Sequence, residues 1–220
     1  MTTILLCRMD PNETSFTPIG TAFVCHRKGY LLTCAHNFAL TDPLGIVAPA
    51  RGNFVPMREI GAGTLHVKVA QFDAVRDVAL LKIEAGVGGK AVLPDDMFMD
   101  ENAVEVGATI AYIGYPFSHR GLTVRHIASA TLASKIVTES GIRQFQLDAM
   151  VHEGCSGGPA IDANTGKIIG ILSGRFSPVA SAGGFAFVTG GHVIGGESSI
   201  SYATSIAYGL DLMKAEGLSA

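Results

Sequence analysis

Short apolar runs separated by turn-forming residues are the main pattern of this sequence. Ile19 to Cys25 and Tyr30 to Ala35 are two such runs, and the residues between them end in Gly29, which predicts a β-hairpin. Residues 64 to 70 alternate between polar and apolar positions, as in a half-buried strand. The apolar run Val78 to Leu81 predicts a strand that is buried on both faces.

The second half of the chain repeats this pattern. Thr109 to Gly114, Arg143 to Asp148 and Lys167 to Ser173 are further predicted strands. Residues 85 to 106 are first glycine-rich and then acidic, which is typical of a linker between two halves. Residues 1 to 18 contain turn formers and are interpreted as a lead-in before the first strand.

A helical pattern is found only at the C-terminus. Ile206, Leu210 and Met213 follow one another at helical spacing and form one apolar face. Ser205 is suited to be the N-cap, and Gly217 can end the helix. Strands with turn signals in both halves, followed by one terminal helix, predict an all-β chain of two barrels or sandwiches.

Composition excludes several classes of protein. The chain has 220 residues, of which 48% are apolar and 16% charged, so it has enough apolar surface for a compact core. The net charge is −3 and no basic stripe is present, which argues against nucleic acid or an anionic membrane as the partner. No apolar run is long enough to span a bilayer. The first eight residues lack the pattern of a secretory signal, so we expect a cytoplasmic protein.

Four cysteines are present, but their spacing fits no zinc motif, and we expect neither a metal nor another cofactor.

Residues Gly154 to Pro159, here called the serine turn, carry the most informative chemistry. Glycines around Ser156 allow backbone angles that hold a hydroxyl outward and aim N–H groups beside it. Acyl transfer needs this combination of a nucleophile and oxyanion donors.

Two further residues can complete such a site. His36 directly follows one predicted strand, and Asp77 directly precedes another. Taken alone, the first is an ordinary strand-end histidine and the second a solvated or capping carboxylate. Together with Ser156 they supply a nucleophile, a base and a group that orients the base. A cleft between the two halves would bring the three together.

These stretches resemble the motifs of chymotrypsin-clan serine proteases. Thr33-Cys34-Ala35-His36 resembles T-A-A-H, Asp77 to Leu81 is similar to D-[IV]-A-L-L, and the serine turn is similar to G-[DN]-S-G-G-P. Blocks at residues 21–33, 111–117 and 166–171 resemble the HtrA (Deg) protease domains in particular. Asp73 is a rival to Asp77, but it lacks the motif that follows Asp77.

The resemblance implies a chymotrypsin-like fold of two orthogonal Greek-key β-barrels, each with six strands, and a C-terminal helix. On this basis we assign one peptidase domain over residues 1–220, an N-terminal barrel over 19–100, a C-terminal barrel over 105–204 and a helix over 205–217. It also implies that Ser156 is the nucleophile, His36 the general base and Asp77 the group that orients His36. The N–H groups of Gly154 and Ser156 are then expected to form the oxyanion hole.

By the same resemblance, Met150, Leu172 and Ser173 are expected to line the substrate pocket. Met150 lies six positions before Ser156 and is neutral, which gives no support for a preference for Lys or Arg. A small or medium apolar side chain is therefore expected in this pocket. Residues 174–199 are predicted to form a long loop, interpreted either as one wall of the pocket or as a plain surface loop.

The sequence also departs from the family pattern. Cys155 replaces the acidic or amide residue that, in trypsin-type zymogens, pairs with a newly cut N-terminus, so activation by that route is not expected. Cys34 and Cys155 are interpreted as small buried hydrophobes, with a redox or metal-inhibited switch as the alternative. We expect no PDZ domain after the C-terminal helix, so peptide-triggered allostery is not carried over from the HtrA proteins.

The sequence therefore predicts a serine endopeptidase that acts on polypeptides, needs no cofactor, binds no nucleic acid and has no membrane span. Its oligomeric state stays open. Two alternatives remain: a protease-fold binding or scaffolding module without catalysis, and a protease domain that acts mainly in cis on its own precursor.

Overall fold

The computed structural model describes a fold built almost entirely from β-strands. It covers residues 3–10, 12, 15–50, 52–58, 63–85, 93–94, 96–175, 187–189, 192–194 and 199–219. Within these residues the strands form two closed barrels and one separate two-stranded sheet. Among the described helices, none combines the length and the apolar character that a membrane span requires.

The first barrel consists of β1 (Thr3–Met9), β2 (Phe16–His26), β3 (Tyr30–Thr33), β4 (Leu44–Val47), β5 (Thr64–Asp73) and β6 (Val78–Ile83). These strands close in the order β1-β2-β3-β6-β5-β4. The predicted hairpin is confirmed, because β2 and β3 pair antiparallel around Gly29. The predicted lead-in is wrong: β1 pairs with both β2 and β4, and its mostly buried side chains help to close the barrel.

The second barrel repeats this topology. Its strands are β7 (Thr109–Gly114), β8 (His126–Val137), β9 (Arg143–Asp148), β10 (Pro159–Asp162), β11 (Ile168–Arg175) and β14 (Ile200–Ser205). They close in the order β10-β11-β14-β9-β8-β7, which matches the first barrel once the insert between β11 and β14 is set aside. The predicted all-β fold of two six-stranded barrels is therefore confirmed.

The insert between β11 and β14 contains the hairpin of β12 (Phe187–Thr189) and β13 (His192–Ile194). The prediction of a loop over residues 174–199 is thus interrupted by two short strands. Residues 176–186, 190–191 and 195–198 lie outside the described residues, and so does most of the predicted pocket wall.

The C-terminal helix α1 (Ile206–Ala215) is confirmed, with Ser205 Oγ accepting a hydrogen bond of 3.2 Å from the N–H of Ala207. The helix leaves the second barrel but packs on the first. A Cβ atom at Gly209 would lie 2.8 Å from Leu32 of β3, so the backbone of α1 is in close contact with that strand. The helix therefore links the two barrels and helps to fix the cleft between them.

Candidate active site

His36 and Asp77 are brought together by neighbouring strands of the first barrel. His36 lies on the 3-10 turn Ala35–Asn37 directly after β3, and Asp77 lies directly before β6. Because β3 and β6 pair antiparallel, the end of one strand meets the start of the other. His36 Nδ1 is 2.7 Å from Asp77 Oδ2, and the His36 N–H donates to Asp77 Oδ1 at 2.9 Å.

Asp77 is held in an uncommon backbone conformation. Its φ of 57° lies in the left-handed region, which Asp and Asn tolerate better than most residues. This turn points the carboxylate at both the side chain and the main chain of His36. Asp73, the rival in the sequence, instead accepts hydrogen bonds from the Arg76 N–H at 2.9 Å and the Arg76 guanidinium at 3.1 Å. The structure thus pairs His36 with Asp77 and not with Asp73.

The serine turn lies between β9 and β10 of the second barrel and packs against the first barrel. Gly154 and Gly157 both have left-handed φ angles, of 93° and 89°. A Cβ atom at Gly154 would lie 2.3 Å from the Tyr115 carbonyl oxygen, and one at Gly157 would lie 2.1 Å from the Thr21 carbonyl oxygen. Only glycine fits at these two positions, for both conformational and steric reasons.

Two carbonyl groups, one in the serine turn and one directly before it, accept main-chain hydrogen bonds. The Cys155 carbonyl accepts from the Gly158 N–H at 3.0 Å, and the Glu153 carbonyl accepts from the Phe117 N–H at 2.7 Å. In a trans peptide the N–H points opposite to the C=O, and the described residues contain no cis peptide bond. The N–H groups of Ser156 and Gly154 therefore point away from these anchors, and neither donates a hydrogen bond within the described part of the chain.

One open cavity joins these groups across the two barrels. Its volume is about 340 Å³, and His36, Gly154 and Ser156 all line it. The remaining lining residues are Pro18, Ile19, Asn37, Ser118, His119 and Glu153. The described hydrogen bonds include none between Ser156 Oγ and His36; such catalytic contacts often tighten only when substrate binds.

Another cavity, of about 510 Å³, lies between residues 96–102 and helix α1. It contains none of the predicted site residues, and its charged Arg143 and Glu101 side chains form an ion pair with each other. Size alone therefore does not identify the active site, and the cavity that holds His36 and Ser156 is the candidate.

The three residues expected to bind substrate differ in how much of each side chain is exposed. Met150 and Ser173 are half-buried, and Ser173 Oγ donates to the Tyr202 carbonyl at 3.4 Å. The Leu172 side chain is fully buried in the core of the second barrel, so it cannot line a pocket open to substrate. Leu172 instead contacts the serine turn through its main chain, because its carbonyl accepts a hydrogen bond of 2.8 Å from the Gly157 N–H.

Cys34 and Cys155 are both buried and free, as interpreted from the sequence. Burial raises the pKa of the Cys155 thiol to about 12. Burial, followed by the charge of Asp77, raises the pKa of the Cys34 thiol well above its ordinary value. Cys34 Sγ, a ring nitrogen of His36 and an Asp77 oxygen lie within 4.8 Å of one another, a set of atoms that metals use as ligands. Metals bind the thiolate, however, and this environment favours the neutral thiol.

Comparison with known proteins identifies the family. A model of the trypsin-like peptidase domain matches residues 20–171, which include His36, Asp77 and Ser156. The chain belongs to the trypsin-like peptidase family. Solved structures agree at the level of the fold: the HtrA-type protease AlgW, determined with a tripeptide, has a TM-score of 0.68 at 22% identity, covering 97% of this chain and 59% of AlgW. The active form of the Rv3671c protease from M. tuberculosis has a TM-score of 0.67 at 17% identity, covering all of this chain and 82% of that one.

Curated relatives are also proteases. The magnetosome formation protease MamE of Paramagnetospirillum magneticum is 29% identical over 182 residues, covering 81% of this chain and 23% of MamE. A probable periplasmic DegP-like serine endoprotease of Brucella suis is 33% identical over 170 residues, covering 76% of this chain and 30% of the relative. The chain thus spans about a quarter to a third of the length of these relatives.

The expected cytoplasmic location is wrong. It rested on the absence of a signal pattern in the first eight residues and on four cysteines without a disulfide or zinc pattern, whereas the DegP-like relatives of this trypsin-like peptidase are named as probable periplasmic enzymes and MamE as a magnetosome formation protease.

Proposed function

We propose that this trypsin-like peptidase is a serine endopeptidase that hydrolyses peptide bonds through His36, Asp77 and Ser156. Family membership supports protease chemistry in general. The observation that carries the residue assignment is that His36, which contacts Asp77 in the first barrel, and Ser156 of the second barrel line one cavity. The proposed base and nucleophile thus face the same open cavity.

In this proposal Ser156 Oγ attacks the carbonyl carbon of the scissile bond while His36 Nε2 accepts its proton. His36 then gives the proton to the leaving amine, and water enters by the reverse sequence to release the acyl group from Ser156. Asp77 holds the Nδ1–H tautomer, which leaves Nε2 free to accept. Because Asp77 also accepts from the His36 main chain, it holds both the main chain and the imidazole of His36.

The N–H groups of Gly154 and Ser156 would receive the oxyanion that forms in this step. Their direction is set by the anchored carbonyls of the preceding residues, so they need little reorganisation during the reaction. Loss of one such donor typically lowers the rate by about 10² to 10³.

Substrate preference follows from the residues around this site. Met150 brings no negative charge to the position proposed for the pocket floor, so we infer a small or medium apolar residue before the scissile bond. Ser173 remains a proposed pocket residue because it is half-buried, whereas the Leu172 side chain is not proposed.

A fluorophosphonate probe tests the proposal without knowledge of the substrate, because it reacts only with an activated serine. We expect wild type to be labelled and Ser156→Ala to be unlabelled. Ser140→Ala, an exposed serine in the β8–β9 connection, is the matched control and should be labelled like wild type. Folded wild type that takes no label would contradict the proposal and favour the non-catalytic binding module. Cleavage of an added peptide library would separate general proteolysis from action only in cis.

A further inference from the structure

The side-chain amide of Asn37 connects the base and the nucleophile across the two barrels. Asn37 directly follows His36 on the same 3-10 turn. Its Nδ2 donates to the Ser156 carbonyl at 3.0 Å and to Thr33 Oγ1, also at 3.0 Å. Both amide hydrogens are therefore used, one for the serine turn and one for β3.

The chemistry of the partners fixes the orientation of this amide. The Ser156 carbonyl can only accept, so it must face the NH₂ group of Asn37 and not its oxygen. Thr33 Oγ1 donates its own hydrogen to the Thr21 carbonyl at 2.7 Å, so it is free to accept from Asn37. The hydrogen bonds thus form one consistent chain from the serine turn to β2, with buried or nearly buried members.

Thr21 of β2 makes the corresponding connection to the other end of the serine turn. Its hydroxyl donates to the Gly154 carbonyl at 2.7 Å and accepts from the Tyr115 N–H at 3.1 Å. Its main-chain N–H donates to the Ser156 carbonyl at 2.9 Å. Thr21 is fully buried, so these bonds are shielded from competing water.

Glycines provide the space for this arrangement. A Cβ atom at Gly20 would lie 2.5 Å from Asn37 Nδ2, and one at Gly157 would lie 2.3 Å from Thr33 Oγ1. Close approach of the two barrels at these points lets short side chains of the first barrel reach carbonyls of the second.

We propose that Thr21 and Asn37 are positioning residues, which hold the main chain of Gly154 and Ser156 at a fixed place relative to His36. The inference rests on the proposed function, because it concerns the geometry of that reaction. Neither side chain takes part in proton transfer. Both act by fixing the carbonyls of Gly154 and Ser156, and so the place of the Ser156 hydroxyl and of the proposed oxyanion donors.

A matched pair of variants tests the role of the Thr21 hydroxyl. Thr21→Val keeps the shape but removes the hydroxyl, whereas Thr21→Ser keeps the hydroxyl. We expect Thr21→Val to lower kcat by about 10-fold to 100-fold with little change in KM, because small misplacements of reacting groups are costly. Thr21→Ser should label and turn over at rates close to wild type.

Asn37→Ala tests the amide, and Tyr208→Phe controls for stability. Tyr208→Phe removes one acceptor, which receives the Arg143 N–H at 2.9 Å, away from the serine turn. We expect Asn37→Ala to slow fluorophosphonate labelling by about 10-fold or more, and Tyr208→Phe to leave it unchanged, with all rates measured well below each variant's Tm.

Amide hydrogen exchange gives a readout that does not depend on activity. Peptides covering residues 154–158 should exchange faster in Thr21→Val and Asn37→Ala than in Tyr208→Phe. The inference would be overturned if Thr21→Val and Asn37→Ala were both labelled at the wild-type rate. It would also be overturned if Tyr208→Phe lost as much labelling rate as these two variants. If wild type itself takes no label, the proposed function fails. Exchange then decides the positioning role alone, and unchanged exchange overturns it.

Discussion

Asp77→Asn is the most direct test of how the base is oriented. The Asp77 carboxylate faces two groups of His36: the main-chain N–H at 2.9 Å and Nδ1 at 2.7 Å. The N–H can only donate, so the oxygen of an introduced amide must take that position. Its NH₂ group then faces Nδ1 and donates to it. The proton of the neutral imidazole is forced onto Nε2, the atom that must accept the proton of Ser156.

The size of the effect follows from this tautomer change. Loss of the correct tautomer in a serine–histidine–aspartate triad lowers kcat by about 10⁴. At 1.36 kcal/mol per factor of ten, that is about 5.4 kcal/mol of transition-state stabilisation. Stability should change far less, by at most about 1 kcal/mol, since both side chains of the pair are partly exposed. Asn also tolerates the left-handed φ of 57°, so the turn itself should persist.

The assay is the second-order rate constant of fluorophosphonate labelling, with Tm measured on the same samples. Asp73→Asn is the matched control, because Asp73 is bonded to Arg76 and not to His36. We expect labelling of Asp73→Asn at the wild-type rate. Asp77→Asn that labels within tenfold of wild type would refute the assigned role, and so would equal losses in the two variants.

Three further results are expected. Gly157→Ala should lower the free energy of unfolding in urea by at least about 2 kcal/mol, because its new Cβ atom would lie 2.1 Å from the Thr21 carbonyl oxygen and its φ is left-handed. Gly141→Ala is the control: its φ of 78° is also left-handed, but nothing lies within 4 Å of the new Cβ atom, so the loss should be smaller. Mild oxidant should leave labelling unchanged at neutral pH, because the buried thiols of Cys34 and Cys155 stay protonated; oxidant-dependent loss that Cys155→Ser abolishes would contradict this. Raising the pH above about 9 should lower the unfolding free energy through Cys155 by up to about 1.4 kcal/mol per pH unit. The reason is that burial raises the pKa of this thiol to about 12 in the folded state, so the thiol of the unfolded chain ionises first. In Cys155→Ala the unfolding free energy should fall less steeply with pH.

Local signals in the sequence predicted local structure well. The β2–β3 hairpin and helix α1 each carry their own turn or capping residues, and both lie where the pattern places them. Strand β1 was missed because its role depends on distant partners. Thr3–Met9 pairs with β4 in a regular register and with β2 in a register that shifts between Leu6 and Cys7, and no short pattern specifies that closure.

In the candidate site, too, the residues with a local motif were predicted, whereas those that act through distant partners were not. Motif resemblance indicated His36, Asp77 and Ser156, and the structure brings the first two into contact and places the third on the same cavity. Thr21 and Asn37 were not singled out, because their partners in the serine turn are 133 and 119 positions away along the chain. A lone Thr or Asn has no periodicity that could reveal such a bond. The Leu172 side chain was misplaced for a related reason: a strand next to a pocket alternates its faces, and the resemblance did not show which face Leu172 occupies.

At Cys155 the structure gives the physical reason for a departure that the sequence only indicated. The sequence indicated only that a charged latch is absent at this position. In the structure the thiol is buried against Gly114, where a Cβ atom would lie 2.9 Å from its sulfur, so it offers no charge for an ammonium group to pair with. The serine turn is instead anchored by neutral hydrogen bonds, each worth about 1 kcal/mol, from Thr21, Asn37 and neighbouring main-chain groups. Because such bonds are far less sensitive to salt than an exposed ion pair, the geometry of the turn should persist at high ionic strength and without a newly cut N-terminus.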